Sequence, residues 1–395
     1  MTIDEAKARV VQAGKRLVQS GLIARTWGNV SCRISESRFV ITPSGRDYLS
    51  LTPADIVTVE IADCSYKGHI KPSSEKGIHA EVYKSYPQIN FVIHTHQENA
   101  SVVSVLGLDS IMLAASSSLL GSEVICASYG LPGTKKLRRA VSKALARSAG
   151  NSVILKYHGA LCFGKDDEEA FKVAEELENA CAGFIAEHYL KISGRSGFDP
   201  GEMRGFALSL LTSKAEISGD CPSGFYCESE RTDKGFKLQL AKGGTFEVMF
   251  DQIPDSLPRE AIIHNAVYQK YKNIKYIIHM DTPNILAVSC AGIILRPLLD
   301  DFAQIAGTSV KTAGKDPAKI AAALKGASAV LIRNNGALCC GISKGDATAV
   351  GMVMEKNSKA LIGAAIFGNV KPINYLESCL MRLVYLKKYS KQAAL

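Results

Sequence analysis

The sequence predicts an α/β sandwich with a largely antiparallel sheet, and it predicts that this fold occurs twice along the chain. Short runs of β-branched and aromatic residues, separated by turns, lie between helix-periodic segments, which is typical of a sheet flanked by helices. Residues 75–100 align without gaps with residues 260–285, and residues 153–165 align with residues 330–342. Because the two matches occur in the same order, we interpret the chain as a tandem duplication.

The predicted joint between the two copies is the segment SGRSGFDPGEMRG at 193–205. Its glycines and proline are typical of a linker rather than of a helix or strand interior. We therefore expect a first domain over residues 1–195, a linker over 196–203 and a second domain over 204–395.

The elements of the first copy follow from local patterns. Thr2 and Glu5 have capping-box spacing, so a first helix is predicted to begin at residue 3. Hydrophobic periodicity then predicts, in chain order, helix 3–20, strands 29–34, 38–43 and 56–61, helix 75–86, strand 89–95, helices 98–106 and 134–148, strands 152–156 and 160–164, and helix 166–192. The second copy ends in a similar predicted helix at 345–365.

Composition and charge limit the class of protein. The chain of 395 residues is 47% hydrophobic and 22% charged, which is ordinary for a globular protein with a sizeable core. The net charge of +9 is spread evenly, which suits small anionic ligands and argues against nucleic acid as a partner. The sequence also predicts no membrane helix and no signal peptide. Eleven cysteines without a C-x-x-C motif indicate free thiols and a reducing, cytoplasmic location.

The stretch FVIHTHQENA at 91–100 places His94 and His96 at the end of a predicted strand. Alternate residues of a strand point to the same face, so both imidazoles can reach one point. A bare H-x-H is more commonly a pair of hydrogen-bonded core histidines. His158, in YHGAL next to Gly159, supplies a third imidazole at a turn, and three imidazoles with an open position form a catalytic zinc site.

Three turns have the composition of an anion site. KPSSEKGIH at 71–79 places two serines and Glu75 at the start of a predicted helix, where free N–H groups and hydroxyls can hold an anion. TWGNVS at 26–31 and TPSGRDY at 42–48 are further glycine-containing turns that could direct backbone N–H groups toward a phosphate. His79 lies on the same helix face as Glu75, and we interpret it as a core histidine rather than a fourth ligand.

In this order, WGNVS, ITPSGRDY, KPSSEKGIHAEVY, VIHTH and YHGAL resemble the class II aldolase and adducin family. The resemblance is specific over residues 5–192 and weaker over 203–395. It implies an α/β/α sandwich and, in the aldolase members, zinc-dependent cleavage of a phosphorylated ketose. The positions it implies are zinc ligands at His94, His96 and His158, catalytic residues at Glu75 and Tyr129, and phosphate-binding residues at Thr26, Gly28, Asn29, Ser44, Gly45, Ser73 and Ser74.

The chemistry that the resemblance implies is consistent with these residue types. Cleavage to dihydroxyacetone phosphate and an aldehyde passes through an enediolate, which a zinc ion can stabilise as a Lewis acid. A carboxylate such as Glu75 can move the proton at the nucleophilic carbon, while bound phosphate fixes the substrate. Tyr129, in CASYGLPGTKKL, matches the family tyrosine that exchanges a proton with the aldehyde-side oxygen of a neighbouring subunit's site. The alternative for Tyr129 is a packing role at a helix start.

The second copy departs from this pattern. Asp281 stands in place of His96, Asn335 in place of His158, and LPRE at 257–260 in place of PSSE, while His279 and Glu260 remain. An amide is a poor zinc ligand. We therefore expect one Zn²⁺ per chain, held by the first domain, with the second domain as a scaffold.

Two other functions fit the same family. A dehydratase of a methylthio-pentulose phosphate or a pentulose-phosphate 4-epimerase would use nearly the same metal site, although the epimerases typically have aspartate at the position of Glu75. A non-enzymatic, adducin-like binding module would lack the histidine triad that the first copy has. The resemblance also implies a homo-oligomer, in which a dimer of tandem chains forms a pseudo-tetrameric ring, with a small phosphorylated sugar as the ligand.

Overall fold

A computed structural model of the chain describes residues 1–20, 22–23, 27–212, 226–241, 243–252, 257–368 and 370–389. The chain divides into two compact units, Met1–His188 and Tyr189–Leu395. The segment 196–203, which we predicted as a linker, is helical from Pro200 onward.

The first unit contains an eight-stranded sheet and five α-helices among its described residues. The strand order is β3-β2-β1-β4-β8-β7-β6-β5, and every neighbouring pair is antiparallel except β6 and β7. The elements are α1 (Ile3–Gln19), β1 (Asn29–Arg33), β2 (Arg38–Ile41), β3 (Val57–Glu60), α2 (Lys76–Ser85), β4 (Phe91–Thr95), α3 (Glu98–Ser104), β5 (Ser110–Ser117), β6 (Gly121–Ala127), α4 (Lys135–Leu145), β7 (Ser152–Leu155), β8 (Gly159–Gly164) and α5 (Asp167–Ser193).

Helices cover both faces of this sheet. On one face, α2 and α4 bury Val82 and Val141 against Phe39, Val92 and Phe163 of the strands. On the other, α1 lies against β1 and β2, and α3 lies against β7 and β8. Each strand contributes alternate residues to the two faces, which is why both layers can be apolar. The predicted sandwich with a largely antiparallel sheet is confirmed.

Strands β5 and β6 were not predicted. Strand β5 has the sequence SIMLAASS, and most of its residues are partly or fully exposed. It lies at the edge of the sheet, where only one side of the strand has a backbone partner. Its short side chains show no regular alternation, so the hydrophobic pattern that identifies a half-buried strand is missing.

The second unit repeats this architecture with a seven-stranded sheet in the order β11-β10-β9-β12-β15-β14-β13. Its core places Ile263 and Ile320, from two helices, against Phe236, Ile277 and Leu338 of the strands. The elements are α6 (Pro200–Thr212), β9 (Cys227–Arg231), β10 (Gly235–Leu240), β11 (Thr245–Met249), α7 (Arg259–Lys270), β12 (Tyr276–Met280), α8 (Pro283–Ala291), α9 (Asp300–Ile305), β13 (Thr312–Ala313), α10 (Pro317–Ala323), β14 (Ala329–Ile332), β15 (Ala337–Gly341), α11 (Lys344–Ala365) and α12 (Tyr375–Val384).

The same supporting contacts occur in both units. Arg33 of β1 donates to the carbonyl of Ile89 at 2.9 Å, and Arg231 of β9 donates to the carbonyl of Ile274 at 2.7 Å. Each arginine thereby holds the loop that follows a helix against a neighbouring strand. A buried or half-buried carbonyl needs such a donor, so this contact is part of what the repeated fold requires.

Nine cysteines of the described residues have free thiols, as the sequence predicted, whereas Cys290 is disulfide-bonded. Among the helices that the structure describes, none is both long enough and apolar enough to span a bilayer.

Candidate active site

The three predicted histidines come together where β4 ends and β8 begins. His94 is within β4, His96 follows the strand directly, and His158 immediately precedes β8. The ring centroid of His94 lies 4.7 Å from that of His158 and 4.8 Å from that of His96. Gly159 makes this approach possible, because a Cβ at that position would lie 2.2 Å from the carbonyl oxygen of Thr95.

Hydrogen bonding fixes the orientation of His94. Its Nδ1 donates to the carbonyl oxygen of Ala160 at 2.9 Å, so the lone pair is on Nε2, which faces Nε2 of His158 at 2.8 Å. Burial lowers the pKa of His94 to about 3, although the nearby Glu75 acts in the opposite direction. The imidazole is therefore neutral, as a metal ligand must be.

Glu75 faces this histidine cluster from the N-cap position of α2. It is 8% exposed, and its two carboxylate oxygens lie 3.3 Å from Nε2 of His94 and 3.3 Å from Nε2 of His158. Burial alone would raise the pKa of Glu75, but His158 and His94 outweigh burial, so that the pKa lies below its ordinary value. Glu75 is thus a carboxylate beside the imidazoles at neutral pH.

A hydrogen-bonded chain behind Glu75 was not predicted. Asn29 donates from Nδ2 to Glu75 at 3.1 Å, and its Oδ1 accepts from Nε2 of His79. Nδ1 of His79 bonds to Oγ of Ser31 at 2.7 Å, and Ser31 in turn bonds to the hydroxyl of Tyr83 at 2.7 Å. The sequence showed that Glu75 and His79 share a helix face, but it gave no signal for the partners on β1.

Asn29 was predicted to bind phosphate, and in the structure its side chain contacts Glu75 and His79. The amide is 3% exposed, and both of its ends are used by Glu75 and His79. A hydrogen bond to the carboxylate restricts the rotation of Glu75. Asn29 therefore acts in this structure as a positioning residue for Glu75.

The structure brings two of the predicted phosphate-binding turns side by side. Pro43 and Pro72 form an antiparallel bridge, which places Ser44 and Gly45 next to Ser73 and Ser74. Ser44 donates its backbone N–H to the carbonyl of residue 71 at 2.9 Å, and Ser73 donates to the carbonyl of residue 42 at 3.0 Å. These two N–H groups are used within the pairing, and the Ser73 hydroxyl accepts the backbone N–H of Glu75 at 3.2 Å.

The third predicted turn is only partly described. Thr26 lies outside the described residues. Gly28 has a φ of +94°, and a Cβ there would lie 2.5 Å from the carbonyl oxygen of His94. Gly28 is thus required for the close approach of this turn to the strand that carries the histidines.

Tyr129 lies in the segment between β6 and α4. Its ring packs edge-on against Tyr157 with centroids 5.4 Å apart, and the ammonium of Lys136 lies 5.6 Å from the centroid of its ring. Tyr157 directly precedes His158, so Tyr129 contacts the neighbour of a proposed ligand. A cavity of about 140 Å³ borders the site as well, and its lining includes Ser74, Glu75, Gly133, Thr134 and Arg138.

In the second unit the positions that align with the histidine triad do not form a triad. His279 bonds through Nε2 to the backbone carbonyl of Asn335 at 2.5 Å. A different set converges instead, because potential ligand atoms of Cys227, His264 and His279 all lie within 4.8 Å of one another. The sequence-based expectation considered only the positions that align with His94, His96 and His158, so it did not include Cys227 and His264.

The chain belongs to the family described as Class II Aldolase and Adducin N-terminal domain, which matches residues 8–185 and 222–362. One relative is a 5-deoxy-D-ribulose 1-phosphate aldolase of Bacillus thuringiensis serovar kurstaki, which is 32% identical to this chain over 179 residues. The alignment covers 45% of this chain and 83% of the relative. Another relative is a methylthioribulose-1-phosphate dehydratase of Serratia proteamaculans, which is 30% identical over 189 residues. That alignment covers 45% of this chain and 93% of the relative.

Among solved structures, an L-fuculose 1-phosphate aldolase is 30% identical and aligns over 50% of this chain and 92% of its own, with a TM-score of 0.43. An L-fuculose-1-phosphate aldolase from Thermus thermophilus is 27% identical over 48% of this chain and 97% of its own, with a TM-score of 0.40.

Proposed function

We propose that the first domain, residues 1–195, is a zinc-dependent aldolase that cleaves a small phosphorylated ketose to dihydroxyacetone phosphate and an aldehyde. The observation that carries the proposal is the position of the Glu75 carboxylate, 3.3 Å from Nε2 of His94 and 3.3 Å from Nε2 of His158. A buried carboxylate next to the imidazoles of His94 and His158 combines a cation site with a group that can accept a proton.

The residues fit a zinc ion. The Nε2 lone pair of His94 points toward Nε2 of His158 at 2.8 Å and toward a carboxylate oxygen at 3.3 Å. Such a convergence of electron-rich atoms in a buried site is stabilised by a shared cation. His94 also donates its other ring N–H to the Ala160 carbonyl, as metal-binding histidines commonly do. His94, His96 and His158 would hold the ion, which would supply Lewis acidity toward the substrate oxygens beside the breaking bond.

The protein's own groups would do the remaining work. Glu75 would accept and return the proton at the carbon that becomes the nucleophile, and Asn29 would hold the carboxylate in place. The hydroxyls of Ser44, Ser73 and Ser74 and the backbone of Gly28 and Gly45, with Thr26, would bind the phosphate and so fix the substrate relative to Glu75. Tyr129 is proposed to exchange the proton on the aldehyde-side oxygen.

The relatives suggest which ketose to test. The names of two of them specify 5-deoxyribulose 1-phosphate or methylthioribulose 1-phosphate as substrate, so we propose a five-carbon 1-phosphate with an apolar group at C5. A dehydratase is the second candidate, since a relative with a similar degree of identity is a methylthioribulose-1-phosphate dehydratase. An adducin-like binding module is disfavoured for the first domain, because such a module has no use for the buried triad.

The deciding experiment incubates the full chain and Zn²⁺ with 5-deoxyribulose 1-phosphate, methylthioribulose 1-phosphate and fuculose 1-phosphate in parallel. An aldolase releases dihydroxyacetone phosphate, which a coupled NADH-dependent reduction detects. A dehydratase instead forms a product two hydrogens and one oxygen lighter, which mass spectrometry detects without dihydroxyacetone phosphate. Neither product from any of the three sugars would contradict both proposals.

A further inference from the structure

The second unit contains a cluster of potential metal ligands that does not correspond to the histidine triad of the first unit. Cys227 begins β9, His279 lies opposite it on β12, and His264 is on α7. All three are 0% exposed. The sulfur of Cys227 lies 3.7 Å from Nε2 of His264, and ligand atoms of the three residues lie within 4.8 Å of one another.

The hydrogen bonds of His279 direct its lone pair to the Nδ1 side of the ring. Nε2 contacts the backbone carbonyl oxygen of Asn335 at 2.5 Å, and a carbonyl can only accept, so Nε2 carries the hydrogen. Nδ1 is therefore the basic nitrogen, and this buried atom has no hydrogen-bond partner. A buried acceptor without a partner is costly, and a bound cation would satisfy it.

The network around His264 allows its lone pair to face Cys227. Nδ1 of His264 lies 2.8 Å from Oγ of Ser229, and the Tyr268 hydroxyl lies 2.9 Å from both the carbonyl and the Oγ of Ser229. Either ring nitrogen of His264 can carry the hydrogen in this network, and the following assignment is the one that binding of a cation requires. Tyr268 donates to the Ser229 carbonyl, Ser229 donates to the tyrosine oxygen, and Nδ1 of His264 donates to Ser229. Nε2 of His264 then points at the Cys227 sulfur as an acceptor.

Comparison with the first unit explains how the cluster arises. Asn29 lies opposite His94 in the sheet, just as Cys227 lies opposite His279. In the first unit, Asn29 links Glu75 to His79 and supports the triad from behind. The second unit thus has a cysteine where the first unit has an asparagine. An amide is a poor metal ligand, whereas a thiol becomes a strong ligand when it loses its proton.

We propose that Cys227, His264 and His279 bind a thiophilic transition-metal cation, with Zn²⁺ as the cation to be tested, in a buried structural site of the second unit. One sulfur and two imidazole nitrogens are ligands that zinc accepts. Binding requires the thiol proton of Cys227 to be released to solvent as the sulfur–metal bond forms. Three protein ligands leave the fourth tetrahedral position to a water molecule, and the complete burial of the three residues keeps that position away from substrate.

Cobalt substitution tests the proposal, because only a site with a sulfur ligand gives a thiolate-to-cobalt charge-transfer band in the near ultraviolet. The full chain is loaded with Co²⁺ as wild type, as the double variant His94→Ala/His96→Ala, and as Cys227→Ser. We expect the band in the first two and its loss in the third. Cys339→Ser is the matched control, since Cys339 is also buried on a strand of the same unit but lies outside the cluster, and it should keep the band.

Zinc content is the second measurement. The proposal predicts two Zn²⁺ per wild-type chain, and one in both the double histidine variant and Cys227→Ser. If Cys227→Ser does not fold, His279→Gln provides the same test and should also drop from two to one. A double histidine variant with no zinc, or a Co²⁺ complex without the sulfur band, would overturn the proposal. The proposed aldolase activity can stand or fall separately, because it depends on the first unit.

Discussion

Replacing Glu75 by glutamine tests the proposed proton-transfer role while leaving the rest of the site in place. Glutamine has nearly the shape of glutamate, and its carbonyl oxygen can still accept the hydrogen bond that Asn29 donates at 3.1 Å. The amide nitrogen would then take the place of the oxygen that lies 3.3 Å from His158. The substitution therefore removes the negative charge and the basic oxygen while keeping the packing.

The expected loss is in turnover. General acid–base groups contribute roughly 10²–10⁴-fold to rate, which corresponds to about 3–5 kcal/mol in the activation barrier. Because the three imidazoles are unchanged, zinc content should stay at the wild-type value. The phosphate-binding turns are also unchanged, so KM should change by less than about tenfold.

The assay measures kcat by coupled detection of dihydroxyacetone phosphate and zinc by elemental analysis on the same preparation. Glu260→Gln is the matched control, because Glu260 occupies the equivalent position at the start of α7 in the second unit. It should retain wild-type kcat. Turnover of Glu75→Gln within a few-fold of wild type would refute the proton-transfer role. Loss of zinc together with activity would show instead that Glu75 acts mainly as a ligand.

Three further outcomes are expected. His96→Ala should remove the zinc of the first unit and with it all measurable cleavage, whereas His279→Ala should leave cleavage intact; activity in His96→Ala without first-unit zinc would contradict the triad. Light scattering at micromolar concentration should give about twice the chain mass of 42.4 kDa, and a stable monomer would exclude the proposed ring. Phe39→Ala should destabilise the first unit by ~3–5 kcal/mol, because Phe39 is 0% exposed and packs against Tyr83 with ring centroids 5.2 Å apart. Phe236→Ala is the matched change in the second unit. Denaturant unfolding measured with and without a ligand of the first unit distinguishes the unfolding of the first unit from that of the second.

The fold and the metal triad could be predicted because their signals are local or repeated. His94 and His96 are two residues apart on one strand, so their convergence follows from strand geometry. His158 is 62 positions away from His96 by sequence number; its place at a glycine-containing turn suggested it as the third ligand, and the family resemblance supported that choice. The exposed edge strand β5 escaped prediction because its alternation is weak.

The supporting residues could not be predicted, because their role depends on contacts across the sheet. Ser31 and Tyr83 belong to different elements, and nothing in the sequence around either indicates that Ser31 connects Tyr83 to His79. The same limit applies to Cys227. Its neighbours in sequence carry no metal-binding motif, and its ligand partners lie on β12 and α7 rather than on β9.

Comparison of the two units distinguishes the hydrogen bonds that both units share from those that occur only at the candidate active site of the first unit. Ser31 bonds to His79 and to Tyr83 in the first unit, and Ser229 makes the corresponding contacts with His264 and Tyr268 in the second. This buried polar group must be satisfied wherever the helix packs on the sheet, whatever the unit does.

Asn29 is the member of this network that differs, since Cys227 takes its place. That position lies between the buried histidine and the opposite strand in both units, so its side chain decides which atoms face the space in front of the sheet. An amide there links the histidine to the carboxylate of the proposed proton transfer, while a thiol there would make the same histidine a ligand of the proposed metal site. The histidine is thus required by the fold in both units, and the residue facing it on the strand determines the chemistry.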